Sequence, residues 1–442
     1  MAFDPTINSG ARGSEQTNLF NGIDSRRGFS FDNQITKLVP NEAPFVSTLM
    51  AYKRKPVNDP DHKYMEHRPA WLDNRSFFSD ASNAPACSAT YSGKAFDNWK
   101  VQASEDGGDA VDFFTAGDDT PYIIQVLDAD DLTQFCNFYV NNIDSTTAID
   151  VNQLTDTPGF DVADNDPIQI IGIAFEEGGD KSDAYSDIVS MKWASCQIFK
   201  HLSQASRTVM KTWVAGGNEW ERIQAETATT HKVDMERNFI FGTRSTNTED
   251  QGSANDPFGA PVATTLGGTN KKPIRTSISI QQAAHWADSV GLGGSRVFSN
   301  TIATYKYDDF IDDMEKLFEF GSDSRYFFGG TGVLSILTKM ALNADSNMTY
   351  ENGMNEAGVK YKKFLTPHGD LKFVRHPLFR GNYANKAFAV DMNNIELLVF
   401  DGTFIRTDVE TPGYDGKESE IISDMGLEVG LPEASVAEFN WK

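Results

Sequence analysis

The sequence predicts an α+β protein. Three observations carry that expectation. One uninterrupted run, Asn218 to Gly242 (NEWERIQAETATTHKVDMERNFIFG), has the makings of a long helix. Short strand-like runs, separated by Gly, Asp, Asn and Pro, crowd the stretch from about 109 to 185. The tail alternates in the same way, through LKFVRH, KAFAVDM, IELLVF and SEIISDMGLEVG. At 442 residues the chain exceeds one compact core, so two or three domains are expected.

The helix is legible from its ends. Asn218 suits an N-cap, and Glu221, three residues on, completes a capping box. No Pro or Gly interrupts the run until Gly242, a natural stop. At 1.5 Å per residue it spans roughly 35 Å. Trp220, Ile223, Ala228, Met235, Phe239 and Ile240 form a thin apolar stripe, interrupted by Thr227 and His231. So thin a stripe predicts a strut laid across a sheet. His231 reads as a hydrogen-bonded packing histidine rather than a ligand or base.

Before the helix, residues 1 to about 35 are polar and glycine-punctuated, an arm that depends on something else for order. Its Arg26-Arg27 pair reads as exposed rather than as a processing site. Pro40 and Pro44 then break the chain, and Phe45, Leu49 and Tyr52 recur at helical spacing. From about His62 to Lys100 large aliphatics are too few for a core, which predicts an extended hairpin packed on a neighbour. VDFFTA, YIIQVLDA, FCNFYVNNI and IQIIGIAF then predict a small barrel or sandwich inserted in the chain. After the long helix, Thr246 to Gly294 reads as loop with short strands. Two amphipathic helices follow: Tyr307, Phe310, Met314 and Leu317, stopped by Gly321, then Val333, Ile336, Leu337 and Met340. Turns at Asn393-Asn394 and Asp401-Gly402 join the terminal strands.

Composition narrows the function. Hydrophobic content of 39% and aromatic content of 12% are those of a folded protein. A formal net charge of −24 argues against a nucleic-acid-binding surface and against anionic membranes. The longest apolar run, Ile168 to Phe175, is too short to cross a bilayer, and MAFDPTINSG lacks the pattern of a signal peptide. Cys87, Cys136 and Cys196 are widely spaced with no CxxC, which fits a reducing compartment and no disulfide framework. No phosphate loop, HExxH or GxSxG is present. Gly291–Gly294 and Gly329-Gly330-Thr331-Gly332 lack a phosphate-gripping Lys and read as tight turns rather than anion cradles. The acidic turns at Asp128, Asp130 and Asp131, and at Asp161, Asp164 and Asp166, do not follow the calcium-loop order and read as solvated. No cofactor, metal site or catalytic residue is expected.

Several segments in order resemble one family. Asn41-Glu42-Ala43-Pro44-Phe45-Val46-Ser47-Thr48-Leu49 is similar to a TPF-type motif, with Ala43 where Thr is usual. Cys196-Gln197-Ile198-Phe199, Ser206-Arg207-Thr208 and Glu236 to Gly242 are similar to the run from strand into spine helix. Phe388-Ala389-Val390-Asp391 with Ile395, and Ser423 to Val429, are similar to the C-terminal β segment. The order resembles the major capsid proteins of tailed double-stranded-DNA bacteriophages, in the subgroup with a TPF-type motif and a β-rich insertion.

The resemblance implies the tailed-phage capsid fold. It implies an arm over 1–40 and a peripheral domain over 41–61, 186–244 and 386–442 carrying the spine helix 218–242. It also implies an extended hairpin loop over 62–108, a β-rich insertion over 109–185 and an axial domain over 245–385. Copies would close into hexamers and pentamers of an icosahedral or prolate shell around double-stranded DNA, with no catalysis and no membrane. Scaffolding and portal proteins, and a cement or decoration protein, are the implied partners; assembly would occur in the bacterial cytoplasm. Candidate inter-subunit contacts on the arm and loop are Phe29, Phe31, Lys63, Tyr64, Arg68, Trp71, Arg75, Tyr91 and Lys94. Some relatives cross-link their subunits covalently, but nothing marks Lys63 or Lys94 as reactive. Lys53-Arg54-Lys55 faces acidic neighbours, DNA or solvent. The rival reading is an acidic hydrolase or carbohydrate-binding protein that uses the β insertion.

Overall fold

The computed structural model describes residues 43–68, 121–131, 133–145, 148–154, 166–175, 189–212, 217–244, 273–290, 295–342, 349–354 and 359–442. Short pieces at 77–80, 99–102, 162, 177–178, 258 and 264–265 complete it. The arm, the segment VDFFTA, and Cys87, Asp161, Asp164 and Gly291–Gly294 lie outside the described residues.

The chain opens with α1 (Pro44–Tyr52), β1 (Arg54–Pro56) and β2 (Asp61–Glu66). Six strands follow: β3 (Phe77–Asp80), β4 (Trp99–Gln102), β5 (Tyr122–Leu127), β6 (Phe135–Ser145), β7 (Ala148–Gln153) and β8 (Pro167–Ile173). The return runs through β9 (Ser190–Ser195), β10 (Gln197–Ser206), a short α2 (Arg207–Lys211) and the long α3 (Glu219–Phe241). Next come α4 (Ile280–Val290), β11 (Val297–Asn300), α5 (Tyr307–Phe318), β12 (Ser324–Gly329) and α6 (Thr331–Leu342). The tail comprises β13 (Thr349–Met354), β14 (Lys360–Leu365), β15 (Asp370–Arg375), β16 (Lys386–Val390), β17 (Ile395–Thr407), β18 (Gly416–Val429), α7 (Pro432–Ser435) and β19 (Val436–Trp441).

These elements make a four-stranded sheet of order β1-β17-β18-β10 and a seven-stranded sheet of order β11-β19-β16-β12-β15-β14-β13. Strands β3-β4-β7-β6-β5-β8 close a barrel, and β2 pairs with β9. The α+β class therefore holds. The boundary between hairpin and insertion does not fall at 108/109. Phe77–Asp80 pairs with both Trp99–Gln102 and β8, so strands expected in the hairpin are barrel staves. The antiparallel ribbon is instead β2 with β9, partners 124 to 134 residues apart, and the barrel sits between them in the chain. A hairpin interrupted by a domain leaves no local pattern to read. Strand β7 was also unforeseen: AIDVNQ carries two aliphatics, yet Ile149 and Val151 are fully buried beside Phe138 and Val126 in the barrel core. Cys136, also in that core, is disulfide-bonded, against the expectation of no disulfide framework; spacing along the chain is silent about pairing in space.

Helix α3 lies on the four-stranded sheet, as its thin stripe predicts. Phe199 of β10 and Met235, Phe239 and Ile240 of α3 share one buried cluster, with the rings of Phe199 and Phe239 6.0 Å apart. Burying each such aromatic contributes on the order of 2–3 kcal/mol. The cap differs in detail from a capping box. Asn218 Oδ1 accepts the Trp220 N–H at 3.2 Å, while Glu221 accepts the Asn218 side-chain amide at 2.9 Å rather than its backbone N–H. Gly242 does not take a left-handed C′ conformation, since its φ is −66°. It is needed for room: a Cβ there would lie 2.5 Å from Asn238 O.

His231 packs as expected. It is buried against the sheet, Nε2 at 2.7 Å from Ser423 Oγ and Nδ1 at 2.9 Å from His201 Nδ1. His201 Nε2 in turn meets Asp234 at 2.8 Å. Two facing Nδ1 atoms share one proton, so the pair holds only while one ring is neutral. Burial, with the neighbouring His201, pushes His231 down to about 4.

The interaction that locks α1 in place was not foreseen. Glu236, on the inner face of α3, is completely buried. Its carboxylate accepts the Phe45 N–H at 2.7 Å and the Val46 N–H at 2.6 Å, the free amides at the start of α1. His376 Nε2 lies 2.6 Å from the same carboxylate. Because Leu378 N–H donates to His376 Nδ1 at 3.2 Å, the imidazole proton sits on Nε2 and points at Glu236. Pro44 at the first helical position gives up no needed donor.

Helix α4 forms within the stretch whose composition predicts loop. Its inner face is Ile280, Ala283, Ala284 and Ala287, all buried. Small residues at i, i+3, i+4 and i+7 carry the helical period with little hydrophobic weight. Ser279 caps it, accepting the Gln282 N–H at 3.1 Å. The two amphipathic helices form as predicted, with Phe310, Met314 and Leu317 of α5 and Val333 and Leu337 of α6 buried on the seven-stranded sheet.

Two predictions follow from this packing. Glu236→Ala leaves three donors without an acceptor and is expected to cost about 3–5 kcal/mol. Denaturant unfolding of unassembled subunits measures it; a loss below about 1 kcal/mol would show that α1 is held by apolar packing alone. His231 has a folded-state pKa below its unfolded value, so the unfolded chain binds the extra proton. Stability is complete above about pH 6.5 and falls as pH drops toward 4, by up to roughly 3 kcal/mol. His231→Gln should flatten that part of the pH–stability curve, and an unchanged slope would assign the acid sensitivity elsewhere.

Candidate interaction surfaces

The β2–β9 ribbon has two unlike faces, because strand side chains alternate. Tyr64, Glu66 and Ala194 turn inward and are buried. Lys63, Met65 and Met191 turn outward. Met65 stands directly opposite Met191, and they are 77% and 52% exposed, with Val189 beside them at 50%. Together they give the outer face of the ribbon an open apolar character.

Of the candidate contact residues, Lys63, Tyr64 and Arg68 are described. Lys63 is exposed, its ammonium 4.4 Å above the Trp193 ring. Tyr64 and Arg68 face their own chain. Tyr64 OH donates to Val429 O at 3.0 Å, and burial, followed by the charges of Glu66 and Glu428, pushes its pKa up. Arg68 donates through Nε and Nη2 to the two oxygens of Glu433, both at 3.0 Å, and pairs with Glu66 at 2.9 Å. Glu66 accepts the Leu431 N–H at 2.7 Å, and Leu431 has φ +45°, a left-handed conformation costly for a branched side chain. Ribbon and C-terminal segment are thus riveted together. Phe29, Phe31, Trp71, Arg75, Tyr91 and Lys94 lie outside the described residues.

Other motifs resolve into structure. Asp128 Oδ1 accepts the Asp130 N–H at 2.8 Å, and Asp131 accepts Thr133 Oγ1 at 2.6 Å, so these acids build their own turn. Asp166 is buried and accepts the Ala129 N–H at 3.0 Å. Among the described residues no three metal-ligating side chains converge. The Gly329–Gly332 turn is a close approach: a Cβ on Gly330 would lie 2.4 Å from Ala384 O, and one on Gly332 2.2 Å from Asn385 Oδ1. Burial, with Asp424 nearby, pushes the free Cys196 thiol up to about 12, so it is an inert core residue. Lys55 reaches back to Glu428 at 3.0 Å and Glu396 at 3.4 Å, so it faces acids of its own chain. A groove of about 470 Å³ follows the seam of β10 and α3, lined by Ile198, Lys200, His201, Asp234 and Arg237.

Sequence reasoning missed the Met65–Met191 pair, since two methionines 126 positions apart carry no joint signal. It also missed Glu236, one acid among many, although an acid on the apolar stripe of a long helix was its visible mark.

The family model described as SU10 major capsid protein matches residues 12–439. No curated protein matches. Among solved structures, the chain is similar to one described as Mycobacterium phage Bobi, at 8% identity and a TM-score of 0.44, over 95% of this chain and 97% of that one. It is similar to one of Mycobacterium phage Adephagia, at 8% identity and a TM-score of 0.42, over 95% and 96%. A third likeness is to the holo-SrpI encapsulin complex of Synechococcus elongatus, at 7% identity and a TM-score of 0.38, over 57% and 77%. With the family model matched from residue 12 to residue 439, the chain belongs to the SU10 major capsid protein family, and its function is to form the capsid shell of a phage particle.

Proposed function

We propose that the subunits close into hexamers and pentamers of an icosahedral or prolate shell around double-stranded DNA, held without sequence-specific contacts. The exposed Met65–Met191 face of the ribbon carries this reading. It is an apolar surface on a two-stranded element, and symmetry repeats its burial in every subunit. In this assignment α3 is the spine of a peripheral domain built on the four-stranded sheet, and the seven-stranded sheet is the axial domain. The ribbon and the barrel it carries form the extended loop, and residues 1–40 are an arm laid on a neighbour. The contact set is Lys63 with Phe29, Phe31, Trp71, Arg75, Tyr91 and Lys94, while Tyr64 and Arg68 fix the ribbon's pose. The subunit is structural and performs no catalysis. It assembles in the host cytoplasm with scaffolding and portal proteins, and a cement protein binds the finished shell. The net charge of −24 keeps the lining from trapping the DNA packed inside it.

Among the described residues of the barrel nothing favours the hydrolase or carbohydrate-binding reading. Its described interior is filled by Ile124, Val126, Phe138, Val140, Ile149 and Val151.

Electron microscopy of the protein, expressed alone and with its genomic neighbours, is expected to show shells or rings of five and six. A dispersed monomer under both conditions would overturn the ring assignment. Met65→Gln with Met191→Gln should leave the free energy of unfolding within about 0.5 kcal/mol of wild type, as for exposed sites generally. The same variant should lower particle yield severalfold, and undiminished yield would remove the ribbon from the interface.

A further inference from the structure

The axial part of the molecule holds two patches of opposite charge that do not meet in one chain. The first is a cavity of about 630 Å³ over β14 and β15, lined by Lys360, Lys362 and Arg375 around a floor of Leu334, Tyr361 and Phe373. Lys360 and Arg375 are exposed and make no ion pair among the described residues. A cluster of cations is conspicuous in a chain with 39 Lys and Arg against 63 Asp and Glu. Like charges gathered in a recess repel one another, and an anionic occupant relieves that cost.

The second patch is the outer face of α5. With Phe310, Met314 and Leu317 turned into the sheet, the 100° step per residue puts Asp308, Asp312 and Glu315 on the opposite side, and all three are exposed. Helix α5 is tied to the β11 edge, where Asn300 Nδ2 donates to Asp313 at 2.7 Å and Tyr305 OH donates to it at 2.6 Å. Strand β11 is one edge of the seven-stranded sheet, and β14 lies five strands away. At about 4.8 Å per strand the separation is roughly 24 Å, well beyond the reach of a Lys or Arg side chain.

We propose that the Lys360–Lys362–Arg375 cavity receives the acidic outer face of α5 from a second copy of this chain. This rests on the capsid reading and names one of its contacts. Copies of a chain at −24 repel at long range, so a productive encounter needs local attraction. The two patches differ, so the contact is between unlike surfaces and propagates from copy to copy rather than pairing one patch with itself. The apolar floor lowers the local dielectric, which strengthens each charge pair once water is displaced.

Charge reversal tests it. One variant carries Lys360→Glu, Lys362→Glu and Arg375→Glu; a second carries Asp308→Lys, Asp312→Lys and Glu315→Lys; a third combines both sets. Assembly is scored by sedimentation and electron microscopy, with circular dichroism of each subunit confirming its fold. Each single set is expected to lower the yield of assembled particles at least tenfold, and the combined set to restore it. A milder pair, Lys360→Gln with Arg375→Gln, should reduce the salt sensitivity of assembly. The proposal is overturned if both reversed sets assemble like wild type. It is also overturned if the combined set does no better than either alone, or if the basic reversal abolishes only the binding of a DNA duplex. In all three cases the capsid reading stands; it fails separately, if the wild-type chain forms no particle.

Discussion

Everything in the central body hangs on one buried carboxylate. Glu236 joins three parts of the chain: the start of α1, the last turns of α3 and the turn after β15. A buried anion is expensive unless its solvation shell is replaced by donors. Here two helix-terminal amides and one imidazole N–H replace it. The helix end contributes partial positive charge as well as hydrogen bonds. Around this point Phe45, Phe328 and His376 pack edge to face, with centroids 5.3 and 6.4 Å apart. The three elements are thereby keyed to one another at a single point.

The same device recurs at lower stakes. Arg296 and Arg325 are fully buried and close the C-terminal end of α5: Arg296 donates to Lys316 O at 2.7 Å, and Arg325 to Phe320 O. Cations at the carbonyl end of a helix complement its dipole, as the Glu236 anion does at the amide end of α1. Burial, with Arg296 nearby, holds Arg325 down at about 10. Glu438, also buried, takes Lys386 at 2.7 Å and joins β16 to β19. Core charges here set the register between elements, a service that interchangeable apolar contacts perform less well.

What was legible in the sequence was local. The long helix announced itself by its cap and by the absence of breakers over 23 residues, and α5 and α6 by their stripes. The acidic turn and the Gly329–Gly332 turn were read as turns because their chemistry is confined to a few neighbours. Non-local features stayed hidden. The β2–β9 ribbon is a hairpin whose two strands are separated by a barrel, so neither flank signals the other. Helix α4 is built on alanines, which carry periodicity without weight. Tyr64 and Arg68 were expected among outward contacts, yet strand alternation turns Tyr64 inward and a pair of glutamates captures Arg68. The surfaces that meet other subunits are the least legible, because their partner is outside the chain's own pattern.

Strand β19 lies between β11 and β16, with Phe439 and Trp441 buried in the core beneath α5. Its neighbour β11 precedes it by some 140 residues, so during synthesis that seam waits, unpaired, for a strand made much later. A polypeptide cut short before Val436 exposes the flanks of β11 and β16 and the aromatic floor between them. Unpaired edges and exposed apolar surface of this kind favour misassociation over native folding, so the last strand completes the sheet that the earlier ones begin.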